Sequence, residues 1–255
     1  MRFFTLYSGS GGNATYIESG NNAILIDAGK NAKRLCSALC EIDSSIDKID
    51  AIFITHDHAD HTSALEILSK KHDIPIHITE RSAEIFEGER YSHLRERLVL
   101  HPPLFEVSIG SIQVRSFVTP HDSKMSVGYR IELDGCSVGV ATDLGHVSEA
   151  VSEALSGCHA VMLESNHDID MLESGPYPAF LKQRILSKRG HLSNPDSALF
   201  ASQLAQTGTR SFLLAHLSAE NNTPSLALDE FISAVADPSV KVAVADAERP
   251  TELYL

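Results

Sequence analysis

The sequence predicts an α/β protein with mixed sheets and helices outside them. Three observations predict it. Short runs of β-forming residues come in hairpin clusters, with stretches of helical periodicity between them. The segment "LDGC" at 133–136 joins two alternating runs through Asp-Gly, a strong hairpin signal. No Pro/Gly/Ser-rich linker, charge block or internal repeat divides the 255 residues, so one domain over 1–255 is expected, long enough for a sizeable core.

Taken in order, the apolar and β-branched runs Phe3–Leu6, Thr15–Glu18 and Ala23–Ile26 read as strands. Ala32–Cys40 has helical spacing, with Ala32, Cys36, Leu39 and Cys40 on one apolar face. Ala51–Ile54 is a short strand and Thr62–Lys71 a helix after it. Ile74–Ile78, Ser111–Phe117, Val127–Leu133 and Ser137–Ala141 follow as strands. Glu149–Leu155 reads as a helix capped by Ser148, and Val161–Leu163 as a buried strand. Tyr177–Leu186 and Pro195–Gln206 are helical, the second opened by Asn194-Pro195, a cap followed by proline. Ser211–Leu214 and Lys241–Val244 are strands flanking a last helix, Leu226–Val235.

Composition narrows the class. Hydrophobic content is 43% and charged content 22%, ordinary for a soluble globular protein, and no apolar run reaches a membrane-spanning length. "MRFFTLYSGSGGN" turns polar and Gly-rich too soon for a signal peptide, so a cytoplasmic protein is expected, with no membrane partner. Cys36, Cys40, Cys136 and Cys158 are scattered and read as buried free thiols of a reducing compartment, since a structural thiol site needs further close ligands. The formal charge of −13 argues against a nucleic-acid coat, because backbone binding is driven by Lys and Arg; it leaves room for an enzyme with a local basic patch.

The chemistry concentrates in "THDHADH" at 55–61, directly after the "AIFI" strand. A solvated loop explains one or two histidines, hardly three interleaved with acids. A metal cluster explains all of them. His56 and His58, two apart in an extended segment, can turn toward one ion. Asp60 and His61, where the chain enters a helix, can face a second. More ligands are needed, and several strands end in one: His121 in "FVTPHD", Asp143 in "GVATDLG" and His216 in "SFLLAHLS". A lone histidine there is usually a capping group, but here several accompany the cluster.

Asp27 in "LIDAG", "THDHADH", His121, Asp143 and His216 together resemble the metallo-β-lactamase superfamily over nearly the whole chain. The resemblance implies a four-layer αββα sandwich with a two-metal site along one edge of the sheets. Carried over by position, it implies that His56, His58 and His121 hold one ion, that Asp60, His61 and His216 hold the other, and that Asp143 bridges them. Asp60 is thereby counted with the catalytic groups, and Asp27 would orient the histidine loop. The ions are two divalent cations, zinc or manganese, with iron also compatible with these ligands.

Within the superfamily, β-lactamases proper are secreted and lack the bridging aspartate. Thioesterases of the glyoxalase II kind share it, but do not explain "MLESNHDIDMLESGPYPAFLKQRILSKRGHLSN" at 162–194. With "SGSGGN" at 8–13 and "AHLSAENN" at 215–222, that segment resembles the YycJ/WalJ family. "SGSGGN" departs by one residue from the family's SGSSGN. This resemblance implies a 5′→3′ exonuclease on double-stranded DNA, linked to mismatch repair. Ribonuclease Z is a more distant relative, and by position Glu164 and His191 match its catalytic glutamate and histidine.

The residues themselves fit phosphoester chemistry. His191 precedes the capped helix at Asn194, whose free N–H groups would favour an anion. Ser10 and Asn13 in "SGSGGN" suit either phosphate binding or a flexible turn. His167 and Asp168 suit either a site lining or a local turn. Lys182, Arg184, Lys188 and Arg189 suit either a phosphate-facing run or a solvated helix face. His72, His77, His93, His101, His146 and His159 read as surface or core histidines. The expected partner is therefore nucleic acid, DNA foremost; protein partners leave no signature. The alternatives are a phosphodiesterase for a small cyclic or linear nucleotide-like substrate, a thioester hydrolase, and a metal-free binding protein. The last has no reason to keep seven ligands.

Overall fold

The computed structural model describes residues 2–255. Among these residues fourteen strands form two seven-stranded sheets. The first has β1 (Arg2–Tyr7), β2 (Ala14–Ser19), β3 (Asn22–Ile26), β4 (Ala51–Phe53), β5 (Ile76–Thr79) and β6 (Leu98–His101) side by side in chain order, with the last strand, β14 (Thr251–Glu252), added outside β1. The second runs β7 (Glu106–Ile109), β8 (Ile112–Val118), β9 (Val127–Leu133), β10 (Cys136–Ala141), β11 (Ala160–Glu164), β12 (Ser211–Ala215) and β13 (Lys241–Val244). Helices connect them: α1 (Ala32–Glu41), α2 (Ala59–Thr62), α3 (Leu65–Ser69), α4 (Glu80–Ala83), α5 (Ser92–Arg95), α6 (Glu149–Leu155), α7 (Ile169–Ser174), α8 (Ala179–Ile185), α9 (Asn194–Gln206) and α10 (Pro224–Val235). Among the described residues no helix is long and apolar enough to cross a membrane.

Alternation along the strands sorts the apolar residues into three cores, and so into four layers, αββα. Ile24 and Ile26 of β3 meet Tyr129, Ile131, Val138 and Leu213 of the other sheet in the central core. Leu25, between them, faces outward with Ile52 onto Leu35 and Leu39 of α1 and Leu65 and Leu68 of α3. On the far side Phe212 and Leu214 pack under Leu155 of α6, Phe200 and Leu204 of α9 and Phe231 of α10. The Asp134-Gly135 hairpin forms as expected, with positive φ at both residues (50° and 79°) and Leu133 paired to Cys136.

Three expectations are corrected. One helix over Thr62–Lys71 is instead two short ones, because the Ala64 N–H leaves the ladder and donates to Ala28 O at 2.9 Å. The cap of α9 is Ser193, whose Oγ accepts from Asp196 N at 3.2 Å, while the Asn194 side chain is used elsewhere. Of the four thiols only Cys158 is buried; Cys40 is exposed, and Cys36 and Cys136 lie between.

Strand direction places the site. β3 and β4 are parallel, as are β10, β11 and β12, and β8 runs with β10 because both are antiparallel to β9. Their C-terminal ends therefore share one edge, where loops leave a rigid scaffold.

Away from that edge, His77 and His101 pair across β5 and β6, Nδ1 to Nε2, at 2.9 Å. They stack in a column, Phe53–His77–His101–Phe105, with centroid separations of 4.6, 5.1 and 4.1 Å. Burial, then the neighbouring His101, pushes the His77 pKa down to about 4. The native state thus keeps His77 neutral while the unfolded chain protonates it near 6.5. Stability is complete above pH 6.5 and is lost as pH falls from 6.5 to about 4. With solvent screening allowed for, the loss is roughly 2 kcal/mol. Denaturant titrations at pH 7.5 and 4.5 should show that difference, and His77→Phe, which keeps the stack, should shrink it.

Candidate metal and catalytic site

The expected ligands gather on the shared edge, five of the seven in the loops that follow strands. His56 and His58 follow β4, His121 follows β8, Asp143 follows β10 and His216 follows β12. Asp60 and His61 are carried by α2. Three site residues, Asp27, Asp143 and His216, have φ near +60° (62°, 59° and 58°). Such backbone costs a non-glycine residue on the order of 1 kcal/mol, and here it turns the chain sharply at a strand end.

The side chains converge. Ligand atoms of His56, His58 and His121 lie within 4.8 Å of one another, and so do those of Asp60, His61 and His216. Asp143 shares such a group with His56 and His61, and another with Glu164, His191 and His216. Its Oδ2 is 3.4 Å from His61 Nε2, and its Oδ1 is 3.6 Å from His121 Nε2 and 3.7 Å from His216 Nε2. Asp143 therefore sits between the two triads.

Most of the imidazoles are held by Nδ1, with Nε2 turned inward. Asp27 Oδ2 takes His61 Nδ1 at 2.7 Å, and Asp27 Oδ1 accepts from Thr55 N at 2.8 Å. His121 Nδ1 donates to Gly190 O at 3.1 Å, and His216 Nδ1 meets Glu164 Oε1 at 3.1 Å. His56 Nδ1 lies 3.0 Å from Thr55 Oγ1. Such outer partners fix ring orientation and leave the other nitrogen available. His56 Nε2, His121 Nε2, His216 Nε2 and Asp143 Oδ2 are buried without a hydrogen-bond partner. Buried polar atoms are rarely left so, and four converging ones fit a cation. The residues present therefore fit the divalent metal that this fold implies.

Electrostatics agree. Burial alone would lower the His61 and His216 pKa values, yet Asp27 and Asp143 beside His61, and Asp143, Asp60 and Glu164 beside His216, raise both well above the usual imidazole range. His56, buried and facing other imidazoles, goes the other way. Burial would raise Asp143, but the surrounding histidines hold it well below the usual carboxylate range. The pocket thus carries excess negative charge that protons or a cation must offset.

Glu164 ends β11 fully buried. Its Oε1 takes His191 Nδ1 at 2.7 Å, and its Oε2 accepts from Leu144 N at 2.5 Å and Leu192 N at 3.4 Å. Burial opposes its charge, but His191 and His216 hold its pKa at about 2. Burial would likewise lower His191, and Glu164 raises it instead. His191 retains 19% side-chain exposure. The pair leaves its Nε2 toward the open side.

Of the expected substrate contacts, only Ser10 is exposed, in the cavity beside His191 and His216. Asn13 is buried, its amide directed to Asp60 Oδ2 at 3.3 Å, His61 Nε2 at 3.0 Å and Gly9 O at 3.1 Å. Asn194 is buried against Ser165 Oγ (2.7 Å) and Asn222. His167 is buried, and its neighbour Asp168 caps α7 by accepting from Met171 N. Asn13 and Asn194 thus spend their side chains on the loops around the site, whereas both ring nitrogens of His167 are buried without a hydrogen-bond partner. The basic run is mostly occupied too. Arg189 donates to His121 O at 2.7 and 2.9 Å, Lys182 to Glu173 O at 2.7 Å, and Arg184 to Asp122.

Sequence reasoning missed Thr55 and Asn166, which donates to His216 O at 2.8 Å, and it read Arg189 as part of a basic run and not as the donor to His121 O. Thr55 and Asn166 each adjoin a named residue, the only signal they carry. It also missed Gly29. A Cβ there would fall 1.5 Å from Asp60 O, where the loop after β3 crosses the histidine loop. Gly29→Ala must displace backbone, so it should cost about 1–3 kcal/mol and lower metal affinity through Asp60. A thermal melt and a metal titration check both.

Comparison with known proteins agrees with this geometry. The Beta-lactamase superfamily domain matches residues 22–217. Exodeoxyribonuclease WalJ of Streptococcus pneumoniae is 34% identical over 247 residues, 95% of this chain and 91% of that protein. Exodeoxyribonuclease YycJ of Bacillus anthracis is 33% identical over 232 residues, covering 89% and 86%. Among solved structures, the metallo-β-lactamase fold protein YhfI of Bacillus subtilis superposes with a TM-score of 0.71 at 16% identity, covering 98% of both chains. The fold, the converging ligands and a third of all residues shared with WalJ and YycJ over nearly the full length make this chain a member of the metallo-β-lactamase-fold superfamily, within its YycJ/WalJ family, and a metal-dependent hydrolase.

Proposed function

We propose that this protein is a two-metal phosphodiesterase that degrades double-stranded DNA as a 5′→3′ exonuclease, in one domain, with mismatch repair as the process it serves. The observation that carries the reading is the pair of ligand triads with Asp143 between them. The names of the 34%- and 33%-identical relatives supply the substrate class. In this reading His56, His58 and His121 hold one ion, Asp60, His61 and His216 the second, and Asp143 bridges. Zinc or manganese suits these ligands, and iron is also compatible. Two such ions would supply a nucleophilic hydroxide at neutral pH and neutralise charge on the phosphoryl oxygens.

The chain's own groups do the rest. His191, held through Nδ1 by Glu164 at 2.7 Å, presents Nε2 to donate a proton to the leaving oxygen. Glu164 acts through the imidazoles that it orients. Asp27 and Thr55 keep the histidine loop in place, and Asn13 keeps Asp60 there.

A phosphodiesterase for a small nucleotide-like substrate is the second reading. It is favoured by the charge of −13 and by the internal use of Arg189 and Lys182. The test is incubation of the manganese- and the zinc-loaded protein with end-labelled duplex DNA, single-stranded DNA, RNA and bis-p-nitrophenyl phosphate. Shortening of the duplex from its 5′ ends is expected. Cleavage of the small ester alone would select the second reading.

A further inference from the structure

A cavity of about 160 Å³ opens beside His191 and His216, and one face of α8 forms its far wall. Leu181 and Arg184 lie on that face, three apart, Tyr177 stands in the bend just before the helix, and Ser10 of the β1–β2 loop closes the near side. No Asp or Glu lines the cavity, in a chain of formal charge −13. Its wall thus joins a guanidinium, an aromatic ring, an apolar patch and a hydroxyl next to the two imidazoles. That is the chemistry of a nucleotide: a phosphate for the guanidinium and the hydroxyl, a base face for the ring.

We propose that this wall is a subsite for the nucleotide adjoining the scissile bond, with Arg184 binding its phosphate and Tyr177 stacking on its base. This inference rests on the nuclease reading above and goes beyond it, because it assigns specificity to α8 rather than to the ligand edge. Arg184 is half-exposed and in the free protein donates across the mouth to Asp122. A substrate phosphate therefore competes with one carboxylate on a neighbouring loop, and no buried pair has to break. Tyr177 is partly exposed, as an aromatic ring must be to receive a base. Because Arg184 takes a phosphate other than the scissile one, a substrate with a single phosphate gains nothing from it.

The test compares Arg184→Ala, Tyr177→Ala and Tyr177→Phe with the unsubstituted, metal-loaded protein. Binding is read by anisotropy with a labelled duplex carrying phosphorothioate ends, at several salt concentrations. Cleavage is read with duplex DNA and with bis-p-nitrophenyl phosphate. Arg184→Ala should weaken duplex binding about tenfold. It should also reduce the slope of log K against log salt by about 0.9. Its kcat/KM on the small ester should stay within about twofold of the unsubstituted protein, and its metal content should not change. Tyr177→Ala should weaken the duplex about tenfold and Tyr177→Phe hardly at all, because the ring and not the hydroxyl does the stacking. Equal losses on both substrates, or an unchanged salt slope in Arg184→Ala, would overturn the subsite while leaving the nuclease reading intact. Failure of the unsubstituted protein to cleave any nucleic acid would remove both.

Discussion

Asp143→Asn is expected to abolish metal retention and activity together, with a rate loss on the order of 10³-fold or more. Its carboxylate is the one group within reach of three Nε2 atoms, those of His61, His121 and His216, at 3.4–3.7 Å. Without its charge, two cations held by opposed triads would repel each other with nothing negative between them. The fold should survive. Asp143 Oδ2 has no hydrogen-bond partner to lose, and asparagine tolerates the positive φ of 59° better than alanine would. Far-UV circular dichroism and elemental analysis, run on the same preparation, separate these outcomes. A variant that keeps two metals and full rate would move the bridge to Asp60.

That carboxylate was legible in the sequence because it ended an apolar strand, and the same logic found His121 and His216. Strand ends on one edge are set by topology, which alternation and hairpin signals carry well. What stayed hidden is where local chemistry was overridden by distant partners. The break between α2 and α3 depends on Ala28 O, thirty-six residues away from Ala64 by chain position. The cap of α9 moved to Ser193 because Asn194 is drawn to Ser165 and Asn222. The strands Leu98–His101 and Glu106–Ile109 leave little trace in the sequence because both are only four residues long: the first has no buried residue, and the second alternates, with Val107 and Ile109 on the central core, over too short a run to stand out. Asn13 and Asn194 read as substrate contacts in the sequence because polar motifs near a metal site look alike there, while the structure gives their side chains to Asp60 and Ser165. What separates them is the set of partners that the fold brings to each side chain, which the local sequence does not show.

His191→Ala and His216→Ala are expected to fail in different ways, although both imidazoles touch Glu164 Oε1, at 2.7 and 3.1 Å, and their rings stack at 5.2 Å. His216 is almost wholly buried, and its free Nε2 faces Asp60 Oδ2 and Asp143 Oδ1 at 3.9 and 3.7 Å, among the other ligand atoms. Its removal should cost at least one metal. His191 keeps partial exposure at the cavity mouth, and it belongs to neither triad. Its removal should leave the metals in place and lower kcat by roughly 10²–10⁴, the usual worth of a general acid. The loss should shrink for bis-p-nitrophenyl phosphate, whose leaving group needs little protonation. Glu164 raises the His191 pKa, so the imidazolium persists above pH 6.5. Rate should then fall as pH rises through that raised value, and this limb should vanish in His191→Ala. Glu164→Gln keeps the hydrogen bond but not the charge, and should shift the same limb to lower pH. Metal content measured across the three variants decides the assignment: depletion in His191→Ala, with His216→Ala still loaded, would exchange the two roles.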